Sequence, residues 1–84
     1  MAKSIHRKEY TALIEAVRDA RIAAGLTQAQ VSEQLGRSQS FISDVERGKR
    51  RLDVVELRDI AHLSGQTLAG LIEDFERRLE AAGN

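Results

Sequence analysis

The sequence predicts an all-α fold of five helices, and three observations carry that expectation. Every apolar run long enough to judge repeats with a period of about 3.6, and none alternates in the manner of a strand. The chain has no proline and six glycines, none of them in a linker-like run. Its 84 residues suffice for one modest core and not for two, so residues 1–84 are expected to form a single domain with its core at about 10–75.

The first helix is expected from a cap at Ser4 to about Ala24, with Tyr10, Leu13, Ile14, Val17 and Arg21 along one face and Gly25 as its stop. Thr27 followed three residues later by Gln30 fits a capping box that opens a second helix over 28–35. Val31 and Leu35 give that helix an apolar stripe at i, i+4. Gly36 supplies a sharp turn, because a residue leaving a helix often needs a left-handed conformation that glycine adopts at little cost. Ser38 is positioned to cap a third helix over 39–46, whose inner face is Ile42 and Val45. Successive residues of a helix are rotated by about 100°. Gln39, Ser40, Ser43, Asp44 and Arg47 therefore point away from the inner face. A short helix, a glycine turn and a second helix with a polar outer face make the helix-turn-helix layout.

Asp53 and Glu56 form a second capping-box pattern, opening a fourth helix that ends at Ser64–Gly65. Its apolar positions are Val54, Val55, Leu57, Ile60 and Ala61. A fifth helix is expected from about Leu68 to Ala82, with Leu68, Leu71, Ile72, Phe75 and Leu79 on one stripe and Gly83 closing it. Glu73 with Arg77 and Asp74 with Arg78 are i, i+4 pairs in the favourable orientation.

Composition narrows the function classes. With 42% hydrophobic and 31% charged residues the chain has the balance of a soluble globular protein. Cysteine is absent, which removes disulfides and thiolate metal sites and suits a reducing cytoplasm. No apolar run reaches the length of about 18 residues that a membrane span needs, and the first ten residues lack the apolar core of a secretory signal. A cytoplasmic protein with no membrane contact is expected. The net charge is zero, but its distribution is uneven. Residues 1–27 carry +2, residues 28–52 carry +2, and residues 53–84 carry −4. Arg47, Lys49, Arg50 and Arg51 are clustered, which would orient the molecule toward a polyanion.

Gln28, Ser32, Gly36, Ile42 and Val45 fall at the five spacings of the phage-repressor/Cro-like (XRE) helix-turn-helix, and the chain resembles that family. The phrases GLTQ (25–28), QSFIS (39–43) and ERGKR (46–50) are similar too. The resemblance covers roughly Leu13 to Phe75 and implies a five-helix, lambda-repressor-like DNA-binding domain. One departure is Ser32, where the family usually has alanine. Serine is nearly as small, so the two helices can still approach closely, but its hydroxyl then needs a partner.

A third helix entering the major groove must present groups that bond base edges. Gln39 is suited to adenine N6 and N7, Ser40 and Ser43 to a base or phosphate, and Asp44 to cytosine N4 or to rejection of wrong bases. Gln28, at the opening of the second helix, is suited to a phosphate beside the exposed amides there, and the resemblance implies that it also braces Gln39. Arg37, Arg47, Lys49, Arg50 and Arg51 surround the third helix and would neutralise phosphates without reading sequence. Phe41 lies beside the inner stripe, where packing against the loop after Gly48 is favoured over contact with a thymine methyl. The resemblance further implies a partly buried ion pair between Arg21 and Glu46.

The fifth helix invites a second copy. Small helix-turn-helix domains commonly act as two-fold dimers on half-sites about one helical turn apart. The stripe Leu71, Phe75 and Leu79 runs past the expected end of the core near Phe75 and is the expected dimer interface. Within that stripe Leu71 and Phe75 are expected in the core and Leu79 near the seam. The alternative folds the stripe back onto Leu13, Ile14 and Val17.

Nothing comparable supports an enzyme. His6 and His62 are the only histidines and lack H-E-x-x-H spacing, no serine sits in a G-x-S-x-G setting, and no glycine-rich phosphate loop occurs. No metal and no cofactor is expected. The expected function is a sequence-specific double-stranded DNA-binding transcriptional regulator, a repressor or autoregulator acting as a homodimer on a near-palindromic operator. The resemblance implies a cytoplasmic protein that is bacterial nucleoid-associated or phage-encoded. Its alternatives are an antitoxin or restriction–modification controller working with a protein partner, or an interaction module that binds a toxin or polymerase through the same fold.

Overall fold

The computed structural model describes residues 7–82. Five helices follow one another: α1 Lys8–Ala23, α2 Gln28–Gln34, α3 Phe41–Glu46, α4 Val54–Leu63 and α5 Leu68–Ala81. No strand occurs among the described residues. The all-α, five-helix expectation holds, with the helix-turn-helix at α2 and α3. Ser4 and Gly83, expected to open the first helix and close the fifth, lie outside the described residues.

Local chemistry sets most of the helix ends. Thr27 Oγ1 accepts from the Gln30 amide at 3.0 Å, and Gln30 Oε1 accepts from the Thr27 amide at 2.8 Å. Asp53 and Glu56 make the same reciprocal pair at 2.7 and 3.0 Å. Each box satisfies two amides that helix geometry leaves without partners. Gly36 leaves α2 with φ at +69°, and nothing stands near where a Cβ would be. A side chain there would therefore meet conformational strain of about 1–2 kcal/mol rather than a clash.

The third helix opens differently from expectation. It begins at Phe41, two residues later than predicted, so Gln39 belongs to the turn before it. Ser38 does not cap it with its side chain; its hydroxyl lies 3.4 Å from that of Ser40, while its carbonyl accepts from the Phe41 amide at 3.1 Å. The acceptor for the next amide comes from α2. Ser32 Oγ, buried to 1% exposure, accepts from the Ile42 N–H at 3.2 Å. The hydroxyl that departs from the family pattern is thus the cap of the neighbouring helix.

Every helix contributes to the core. Val17, Val31, Ile42, Val45, Ile60 and Leu71 are each at most 1% exposed. Helix α1 packs against α5 and also against α3 and α4, and this two-sided contact buries Ala12, Ala16 and Ala20 in addition to Ile14 and Val17. Arg78 of α5 reaches Asp19 of α1 at 3.0 Å and Asp74 at 3.1 Å. Arg77 lies 3.7 Å from Asp74, which replaces the expected Glu73 as its neighbour.

Two apolar assignments change. Val54 and Val55 are 63% and 64% exposed, because α4 buries Leu57, Ile60 and Ala61 and its first turn projects beyond the core. Leu71 is fully buried within the chain, so it cannot form part of a dimer surface. Phe75 is half-buried against the core, and Leu79 lies one turn farther along, partly exposed.

Candidate nucleic-acid interface

Gln39 and Ser40 are exposed in the turn that leads into α3, and Ser43 and Asp44 follow, half-buried, in its first turn. Ser43 Oγ donates to the Ser40 carbonyl at 3.1 Å, which holds its hydroxyl close to the helix start. Asp44 Oδ1 receives Arg47 Nη2 at 2.8 Å. A carboxylate facing a polyanion would otherwise be repelled, and this arginine offsets its charge. Gln39 also borders an open depression with Ala29, Glu33 and Arg37, which puts it between α2 and the start of α3.

The cations predicted around α3 divide into two groups. Lys49 and Arg47 are exposed on the segment that leaves the helix. That segment is folded back by its own backbone, the Lys49 amide donating to the Asp44 carbonyl at 2.8 Å. Arg51 lies over the Tyr10 ring at 5.3 Å, and the Tyr10 hydroxyl accepts from the Leu52 amide at 3.1 Å, pinning the basic segment to α1. Arg37 and Arg50 are instead held by Glu56. Arg37 Nη1 donates to Glu56 Oε2 at 2.9 Å, and Arg50 donates to both carboxylate oxygens at 3.0 and 2.8 Å. The Arg50 hydrogen bonds hold the Glu56 carboxyl down at about 2, against the opposing effect of its burial. Sequence segregation of charge is therefore partly undone in space, since an acid from the acidic rear sits among the cations.

Phe41 is 4% exposed, as packing predicted, and the Arg37 and Arg50 guanidinium carbons stand 4.2 and 4.8 Å from its ring centroid.

Behind the polar outer side of α3, one hub ties three helices together. Arg21 of α1 donates from Nε to Glu46 Oε2 at 2.7 Å and from Nη2 to Oε1 at 3.1 Å, while its Nη1 donates to the Leu26 carbonyl at 2.9 Å. Gln28 of α2 adds its amide to Glu46 Oε1 at 2.9 Å. The Gln28 side chain thus points at the end of α3, with one of its groups already committed to Glu46. Tyr10 and Glu56 are the two residues of this region that sequence reasoning missed. The capping-box pattern marked Glu56 only as a helix opener, and nothing in the spacing marks Tyr10 as an anchor for a loop 42 residues away.

Among the described residues no group of three or more His, Asp or Glu is arranged to hold a metal ion, and no helix is long and apolar enough to cross a membrane. What remains is two short helices locked at a glycine turn, the second presenting polar groups flanked by cations. That is a helix-turn-helix domain, and the family model of that description matches residues 12–73. Among solved structures the chain is similar to an XRE-family like protein from Pseudomonas syringae pv. tomato str. DC3000. The two are 40% identical with a TM-score of 0.78, over 88% of this chain and 90% of that one. No curated protein matches. The chain belongs to the helix-turn-helix family, of XRE type, and is a DNA-binding regulator of transcription.

Proposed function

We propose that the protein is a sequence-specific repressor or autoregulator that binds a near-palindromic operator as a homodimer. The observation that carries this reading is the outer side of the helix-turn-helix. Gln39, Ser40, Ser43 and Asp44 are gathered at the opening of α3, with cations on both flanks and no large apolar side chain among them.

The opening of α3 enters the major groove. Gln39 pairs its amide with adenine N6 and N7, and Asp44 uses the oxygen not taken by Arg47 to accept from cytosine N4. Ser40 and Ser43 bond a base edge or the adjacent phosphate. Lys49 meets a phosphate directly, Arg47, Arg51, Arg37 and Arg50 through the N–H groups that their contacts within the protein leave outward, and Gln28 from the start of α2. The Arg21–Glu46–Gln28 hub holds α3 to α1 and α2, so the reading groups are placed before DNA arrives.

Leu79, with the outer edge of Phe75, forms the seam with a second copy, which sets two copies of α3 about one helical turn apart. Occupancy of the operator alters transcription without any chemical step, in the cytoplasm, and the concentration of dimer sets that occupancy. Selection of bound duplexes from a random pool at near-physiological salt tests the reading. An enriched inverted repeat is expected. A bound pool without a motif would reduce the protein to a backbone binder, and failure to retain any duplex would favour a protein-interaction module.

A further inference from the structure

Glu56 does more than open α4. Its carboxylate accepts four hydrogen bonds: from the Asp53 amide, from Arg37 and twice from Arg50. The bonds to Arg50 are the parallel pair by which a guanidinium also binds a phosphate. Arg50 is further committed through Nη1 to the Arg51 carbonyl at 2.6 Å. Both arginines lie within hydrogen-bond reach of one carboxylate and within 5 Å of the Phe41 centroid, so two like charges are held together beside the reading helix by the acid between them. We propose that Glu56 is an internal counter-ion for this surface, occupying Arg37 and Arg50 as a DNA phosphate would and thereby limiting affinity for duplex backbone of any sequence. It is a positioning residue and touches no base.

The physical consequence follows from counter-ion release. Backbone affinity rises with the number of phosphates neutralised, and each adds about 0.9 to the slope of log affinity against log salt. With Glu56 ionised, Arg37, Arg50 and Glu56 together present one net positive charge instead of two. The carboxyl stays ionised throughout the neutral range, so the restraint is permanent rather than a pH switch. Sequence reading, by contrast, rests on Gln39 and its neighbours, which Glu56 does not contact. A counter-ion here weakens attachment to arbitrary DNA and leaves base discrimination intact.

This inference rests on residues 37–51 being the DNA-facing surface, and the test separates the two. Binding of the parent, Glu56→Gln and Glu56→Asp is measured across a salt series on the selected duplex and on a scrambled one. Glutamine also serves in a capping box, so the helix start survives the exchange. Glu56→Gln is expected to bind the scrambled duplex roughly tenfold more tightly at 0.1 M salt, with a slope steeper by about one ion. Glu56→Asp, which keeps the charge, is expected to bind that duplex within about twofold of the parent. A parent that binds with a salt-dependent slope while Glu56→Gln shows the same slope, or binds more weakly, overturns the counter-ion role alone. A parent without salt-dependent affinity overturns the surface itself. A second measurement leaves Glu56 untouched: Lys49→Gln is expected to flatten the parent slope by about one, and Arg50→Gln by less than half of that. Equal flattening would contradict the occupied state of Arg50.

Discussion

Arg21 Nε and Glu46 Oε2 stand 2.7 Å apart, and the two side chains are only 13% and 5% exposed. The first belongs to α1 and the second ends α3, so this contact fixes the orientation of α3 on the rest of the domain. Taking away one member leaves the other charged and poorly solvated. Glu46→Ala is expected to cost ~3–5 kcal/mol in urea unfolding. A double change, Arg21→Met with Glu46→Leu, is expected to recover most of that loss, because no charge is then left stranded. A Glu46→Ala protein as stable as the parent would show that the pair carries no structural weight.

Ser32 gives a smaller and more specific effect. Ser32→Ala suits the space, yet it removes the acceptor of the Ile42 amide in a buried setting. The expected loss is about 1–2 kcal/mol, with an unchanged denaturant slope. Equal stability of the two proteins would mean that the amide finds another partner.

Stability should also depend on acid through Glu56. Its folded value of about 2 lies below the ordinary 4.5. Above the ordinary value both folded and unfolded chains are ionised, and the contribution is complete. As pH falls from about 4.5 toward about 2, the unfolded chain takes up the proton first, so stability falls. Acid unfolding of Glu56→Gln is expected to lack this part of the slope between those values. Superimposable acid profiles for parent and variant would contradict it.

Leu79 and Leu71 should respond differently to a charge. Leu79→Glu is expected to dissociate a dimer in sedimentation while the monomer stays folded. Leu71→Glu, at a position with no exposure, is expected to unfold the monomer. A dimer that survives Leu79→Glu places the seam elsewhere.

Much of the architecture was legible because it is local. The capping boxes at Thr27–Gln30 and Asp53–Glu56 depend on residues three apart, and both form as their spacing predicts. The opening of α3 was misplaced because its cap is a hydroxyl ten residues back on another helix. Val54 and Val55 fit an apolar pattern but lie past the edge of the core, whose extent the pattern does not encode. At the interface, residue types and flanking charge were readable from order alone. Which cations are already held was not, since Arg37 and Glu56 are 19 residues apart and meet only through packing around Phe41.

The central claim is that the opening of α3 reads bases, and Gln39→Ala addresses it most directly. Affinities of the parent and variant are compared on the selected duplex and on all its single base-pair changes at fixed salt. Discrimination is expected to fall by ~1–3 kcal/mol at one base pair of each half-site and to persist at the others. A uniform loss across every duplex, with discrimination retained at each position, would contradict the assignment of Gln39 as a reader of sequence.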